Sequence, residues 1–67
     1  MSPKRLGKML KGIRETQGLT QVQLAGKAKV TQAYIAQLES GDKKNPSLDI
    51  LKRLAKALGV PVMELLG

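Results

Sequence analysis

Two helix starts stand eleven residues apart in this chain, Thr20-Gln21 and Thr31-Gln32, and that spacing limits what can be built. Threonine is a preferred N-cap because its hydroxyl satisfies a backbone N–H that the first turn leaves free. Gln23, three residues after Thr20, completes a capping box. Leu24, Ala25 and Ala28 form the inner stripe of this first short helix, and only Lys29 and Val30 separate it from the second cap. A connection so brief cannot serve an antiparallel hairpin with long arms. The helices must cross steeply, with Ala25 as the small residue where the backbones approach and Val30 and Ile35 plugging the corner. Such a unit is a helix-turn-helix.

The rest of the chain is punctuated in the same way. Ser2-Pro3 reads as an N-cap and a first helical position. Leu6, Met9, Leu10 and Ile13 follow at i, i+3, i+4 and i+7, with Lys4, Lys8, Lys11 and Glu15 on the other side. Gly18 suits the left-handed position after a helix of about residues 3–17. The helix after Thr31 buries Ile35 and Leu38 and stops at Gly41. Ser47 caps a fourth, whose stripe is Leu48, Leu51, Leu54, Ala55 and Leu58 and whose end is Gly59. Pro61 opens a short last helix carrying Val62, Met63, Leu65 and Leu66. The expected fold class is therefore all-α, a compact five-helix domain spanning residues 1–67, with no strand pattern.

Composition decides which functions such a bundle can carry. Twelve Lys and Arg against five Asp and Glu give a net charge of +7, a density that raises the potential over a whole face and favours a polyanion partner. The chain has no Cys and no His, so the usual zinc sites are out and no disulfide braces the core. Five scattered carboxylates and no Gly-rich phosphate loop argue against an enzyme, and no cofactor or small-molecule ligand is expected. A single aromatic, Tyr34, cannot form the stacking platform of a single-strand or RNA binder. Without an 18-residue apolar run or a signal-like apolar region, the chain is expected to be cytoplasmic, with no membrane partner and no separate sensing domain. Double-stranded DNA is the partner that fits.

The helix after Thr31 supports that reading. Projected at 100° per residue, Ile35 and Leu38 mark its core side and Glu39 its border, while Ala33, Gln37 and Ser40 point away with Gln32 and Ala36 flanking. A merely solvated face would more often carry Glu and Lys. This one is small, uncharged and rich in amides. Gln can pair with both adenine N6 and N7, and Ala can touch a thymine methyl; the alternative is ordinary polar surface. Gln21 sits in the first turn of its helix, where free N–H groups favour an anion. It is a candidate phosphate contact, with Thr20 as a simple cap the plainer reading.

The stretch "LTQVQLAGKAKVTQAYIAQLESG", followed by "NPSLDILKRLAKALGVPVMELL", resembles the phage lambda repressor-like (Cro- and Xre-type) helix-turn-helix family over nearly all of residues 6–66. The resemblance implies a five-helix domain that binds operator DNA, usually as a two-fold dimer. By position, Gln32, Ala33 and Gln37 match base-reading residues, and Gln21, Tyr34, Lys43 and Lys44 match phosphate-contacting ones. Arg14 and Glu39 match a pair that in some members forms a salt bridge between helices 1 and 3.

Lys29 stands where the family commonly has Gly. A left-handed residue other than Gly costs roughly 1–2 kcal/mol, so either that strain is accepted or the turn differs slightly, and the Lys29 side chain either meets a phosphate or is simply solvated. Gly26 inside helix 2 also weakens that helix, by about 1 kcal/mol relative to Ala. The expected function is a sequence-specific transcriptional regulator, a repressor acting as a homodimer. The rival reading is an antitoxin-like protein-interaction subunit. Val60, Val62, Met63, Leu65 and Leu66 are the expected dimer contact, the plainer alternative being that they cap the monomer core.

Overall fold

The computed structural model describes residues 3–42 and 46–66. Five helices follow one another: α1 (Pro3–Thr16), α2 (Gln21–Ala28), α3 (Gln32–Ser40), α4 (Leu48–Leu58) and α5 (Val62–Leu66). The caps read from sequence begin three of them. Thr20 Oγ1 accepts from the Gln23 N–H at 3.0 Å while Gln23 Oε1 accepts from the Thr20 N–H at 2.9 Å, the reciprocal bonds of a capping box. Thr31 and Ser47 cap α3 and α4 through the N–H groups of Tyr34 and Ile50. Ser2, the expected cap of α1, lies outside the described residues.

Helices α1 to α4 end alike. A residue just past each end is left-handed, Gly18 two residues beyond α1 and Lys29, Gly41 and Gly59 directly after α2, α3 and α4, and the next N–H reaches back to a carbonyl of the last turn. These bonds run from Leu19 to Arg14, Val30 to Ala25, Asp42 to Gln37 and Val60 to Ala55, at 3.0–3.1 Å, the pattern of a Schellman motif. Three of the four positions have glycine, which takes this conformation without steric cost. Lys29 takes it at φ 60°, and α4 supports the strained turn. Arg53 donates Nε to the Ala28 carbonyl at 3.1 Å and a terminal nitrogen to the Lys29 carbonyl, so the end of α2 is tied from outside. Sequence periodicity gave Arg53 no part in this.

The helices close into a ring: α1 packs on α3 and α5, α2 on α3 and α4, and α4 on α5. Leu6, Leu10, Leu24, Ile35, Leu38, Leu54 and Leu65 are fully buried at its centre, with Ala25, Ala28, Leu51, Ala55 and Leu58 around them. Two expectations change here. Leu48 is 59% exposed: as the first residue of α4 it lies ahead of the turn that packs, and the inner stripe begins at Leu51. Leu65, expected at a dimer contact, is 1% exposed. On a helix lying against α4 and α1, Val62 and Leu65 share the inward face at i and i+3, and Met63 and Leu66 share the outward one.

One contact sets how close α1 comes to α3. A Cβ on Gly7 would stand within van der Waals radii of the Leu38 carbonyl and 2.7 Å from the Glu39 carbonyl oxygen. Backbone therefore lies on backbone, a distance no other residue allows. Slightly further along, Arg14 turns inward from the same helix. Its Nε donates to Glu39 Oε2 at 2.6 Å, and its terminal nitrogens donate to Glu39 Oε1 at 3.0 Å and to the Leu19 carbonyl at 2.7 Å. The side chains of Arg14 and Glu39 are 10% and 4% exposed, so the pair belongs to the interior. Its hydrogen bonds to Glu39 raise the guanidinium pKa above its ordinary value, against the burial that lowers it.

Two outcomes follow from this packing. Gly7→Ala should destabilise the fold by about 1–3 kcal/mol in urea unfolding, because the added methyl forces α1 off α3. Gly26→Ala, whose Cβ meets nothing within 4 Å, should stabilise it by roughly 0.5–1 kcal/mol; equal effects at the two sites would refute the close approach. For the buried pair, either Arg14→Ala or Glu39→Ala should cost on the order of 3–5 kcal/mol. The double variant should lose much less than the sum, and additive losses would mean that the two charges do not support each other.

Candidate nucleic-acid interface

Helix α3 is short because Thr31 begins it and Gly41 ends it, and it presents two unlike sides. Ile35 and Leu38 face inward at 0% and 1% exposure, whereas Gln32, Ala33, Gln37 and Ser40 are exposed. Ser40 Oγ folds back to donate to the Gln37 carbonyl at 3.1 Å. Among the described residues the Gln37 side-chain amide has no hydrogen bond, so its donor and acceptor both face outward.

Gln32 is held, and the chain that holds it starts in the core. Glu39, a carboxylate, can only accept. Besides the two Arg14 bonds it accepts from Gln21 Nε2 at 3.0 Å. With its amino group turned inward, Gln21 presents Oε1 to the surface, and that oxygen accepts from Gln32 Nε2 at 2.8 Å. Gln32 in turn keeps Oε1 free to accept and one N–H free to donate. The orientation of both amides is thus dictated by a buried charge pair. The two Thr-Gln pairs of the sequence meet here, each Thr capping its helix and each Gln joining the same relay. The eleven-residue repeat was the visible signal of this; the bond between Gln21 and Gln32 was not read from it.

The remaining candidates frame the amide face unevenly. Gln21 is half-buried, and its amide is engaged by Glu39 and Gln32, which leaves one N–H for a phosphate. Tyr34 is half-buried beside Val30, Thr31 and Ile50. Burial raises its phenol pKa above the ordinary value. Lys29 is exposed on the turn, where it lines an open cleft with Lys27, Arg53 and Lys56. Lys43 and Lys44 lie outside the described residues. Of the C-terminal candidates, Met63 and Leu66 are 80% and 40% exposed. Val60 and Val62 are half-buried against the core, and Leu65 is inside it. Among the described residues no helix is long and apolar enough to cross a membrane.

Known proteins resemble this chain in sequence and in fold. The immunity repressor protein of Bacillus phage phi105 is 45% identical over 62 residues, which is 92% of this chain and 42% of that repressor. The HTH-type transcriptional regulator DdrOP3 of Deinococcus deserti is 37% identical over 62 residues, 92% of this chain and 47% of that protein. The chain thus spans less than half the length of either relative. Among solved structures, the restriction-modification controller protein C.AhdI from Aeromonas hydrophila superposes with a TM-score of 0.90 at 32% identity, over 94% of both chains. The biofilm master regulator SinR, solved in complex with DNA, gives 0.88 at 32% identity, over 92% of this chain and 98% of that one. The family model described as helix-turn-helix matches residues 2–65, and on this match and these relatives the chain belongs to the helix-turn-helix family.

Proposed function

We propose that the chain is a sequence-specific, double-stranded-DNA-binding transcriptional regulator, a repressor that acts in the cytoplasm as a two-fold dimer on a near-palindromic operator. The observation that carries this reading is the oriented amide of Gln32 beside the free amide of Gln37 on the exposed face of α3. An outward oxygen next to an outward N–H is the pattern that pairs with adenine, the oxygen accepting from N6 and the N–H donating to N7. Ala33 between them is small enough to let the helix enter a major groove and to touch a thymine methyl. Gln21, Tyr34, Lys29, Lys43 and Lys44 position the helix through phosphates, contacts that add affinity without reading sequence. The net charge of +7 supplies the long-range attraction.

The relatives named above support the reading: one is an immunity repressor, and SinR was solved on DNA. Size supports the dimer. The described body measures 24 × 23 × 21 Å and holds a single recognition helix, whereas successive major grooves are about 34 Å apart. A second copy places a second α3 at that distance. Of the C-terminal candidates, Met63 and Leu66, with the edges of Val60 and Val62, are the apolar residues left to make the contact.

Selection from a random duplex pool should return a near-palindromic consensus with half-sites about one helical turn apart. Gln37→Ala should flatten the consensus at one position per half-site and lose roughly 1–3 kcal/mol on the preferred duplex, with little loss on random DNA. Equal losses on both would remove Gln37 from readout. The relay makes a separate demand. Gln21→Ala and Gln32→Ala should couple by at least about 0.5 kcal/mol in binding to the preferred site, and strict additivity would mean that Gln21 does not orient Gln32.

A further inference from the structure

An apolar groove runs along the outer side of α1, away from the amide face. Met9, Gly12 and Ile13 form its floor and Val60 its far wall, enclosing about 440 Å³, with Lys8 on the rim. At one end Gln17 Nε2 donates to the Leu58 carbonyl at 2.6 Å and holds α1 to the end of α4. The floor contains a glycine that the fold does not ask for. Gly12 lies within α1, where glycine weakens a helix, and a Cβ there would meet nothing within 4 Å. That contrasts with Gly7 on the same helix, which the α3 backbone requires. The space above Gly12 is open in the monomer and suits something that approaches the helix closely.

Beside the groove stands a short apolar ridge. Helix α5 packs against α1 and follows directly from Val60, and it exposes Met63 and Leu66. Glu64, its charged residue, is exposed and has no ion-pair partner among the described residues. The groove carries the opposite sign: Lys8 is its charged lining residue, and no acid lines it. When a ridge and a groove are neighbours, a two-fold axis between them seats each ridge in the partner's groove.

Building on the dimer reading above, we infer that the α1 groove receives α5 of a second copy of this chain. The Met63 side chain lies over Gly12 between Met9 and Ile13, and Lys8 faces Glu64 of the other protomer. The interface thus extends from the C-terminal helix onto α1, and it uses Gly12 as a seat.

Sedimentation equilibrium of the full chain tests this with Gly12→Leu, Lys8→Glu, Glu64→Lys and the double charge exchange. Leu fills the groove yet is a far better helix former than Gly, so the melting temperature of dilute protein should hold or rise. The dimer dissociation constant of that variant should increase by about tenfold or more. Each single charge reversal should weaken the dimer, and the double exchange should restore it to within about threefold of the original. Affinity for a single half-site duplex should be unchanged in Gly12→Leu, because α1 does not belong to the amide face. A dimer whose constant ignores Gly12→Leu, and whose charge exchange restores nothing, overturns the inference and leaves the dimer itself standing. A chain that stays monomeric both free and on a two-half-site duplex overturns the dimer reading and the groove assignment together.

Discussion

The Arg14 guanidinium is the interaction on which the arrangement of this small fold turns. It is almost buried, and from one position it fixes two things: the carboxylate of Glu39 on α3 and the Leu19 carbonyl that precedes α2. An isolated charge in such a place would be costly. Two parallel bonds to a carboxylate and a third to a carbonyl compensate it and add directional constraint, because a planar guanidinium accepts only a narrow range of partner positions. The aliphatic core holds the helices together without choosing their rotation. Leucine against leucine tolerates sliding, whereas a bidentate pair and the Gly7 backbone contact do not.

The turn between α2 and α3 shows a second kind of constraint. Three of the four Schellman ends use glycine, and the exception, Lys29, sits where two helices must be joined most tightly. The carbonyls that it leaves at the end of α2 are taken by Arg53 from α4. Strain at one residue is therefore balanced by a residue on another helix. The same contact pins α4 to the α2–α3 unit, so a helix outside the helix-turn-helix still governs where α3 lies.

Much of this was legible in the sequence, and the reasons are local. The caps at Thr20, Thr31 and Ser47, the stops at Gly18, Gly41 and Gly59, and the inward stripe of α3 all follow from periodicity and capping chemistry. The left-handed turn at Lys29 was implied only by the family resemblance, which commonly has Gly at that position. What periodicity could not supply was distance across the fold. Gly7 looks like an ordinary interruption of α1 until the Leu38 and Glu39 carbonyls are placed above it. Arg53 is one cation among twelve until its donors are seen at Ala28 and Lys29. Leu48 and Leu65 were misplaced for the same reason: a helical repeat gives the relative phase of its apolar residues, but neither where packing begins nor how much of a five-residue helix its neighbours cover.

The relay from Arg14 through Glu39 and Gln21 to Gln32 divides the exposed amide face of α3 into two unequal parts. Gln37 answers to nothing in the described protein, so its side chain can be exchanged for another without disturbing a neighbour. Gln32 cannot be exchanged so freely, since a replacement must either donate to the oxygen that Gln21 offers or leave it exposed. For a lineage of such proteins diverging to recognise new sites, position 37 is where preference can drift one substitution at a time. Change at position 32 requires position 21 to change with it, and divergence there is therefore expected in pairs.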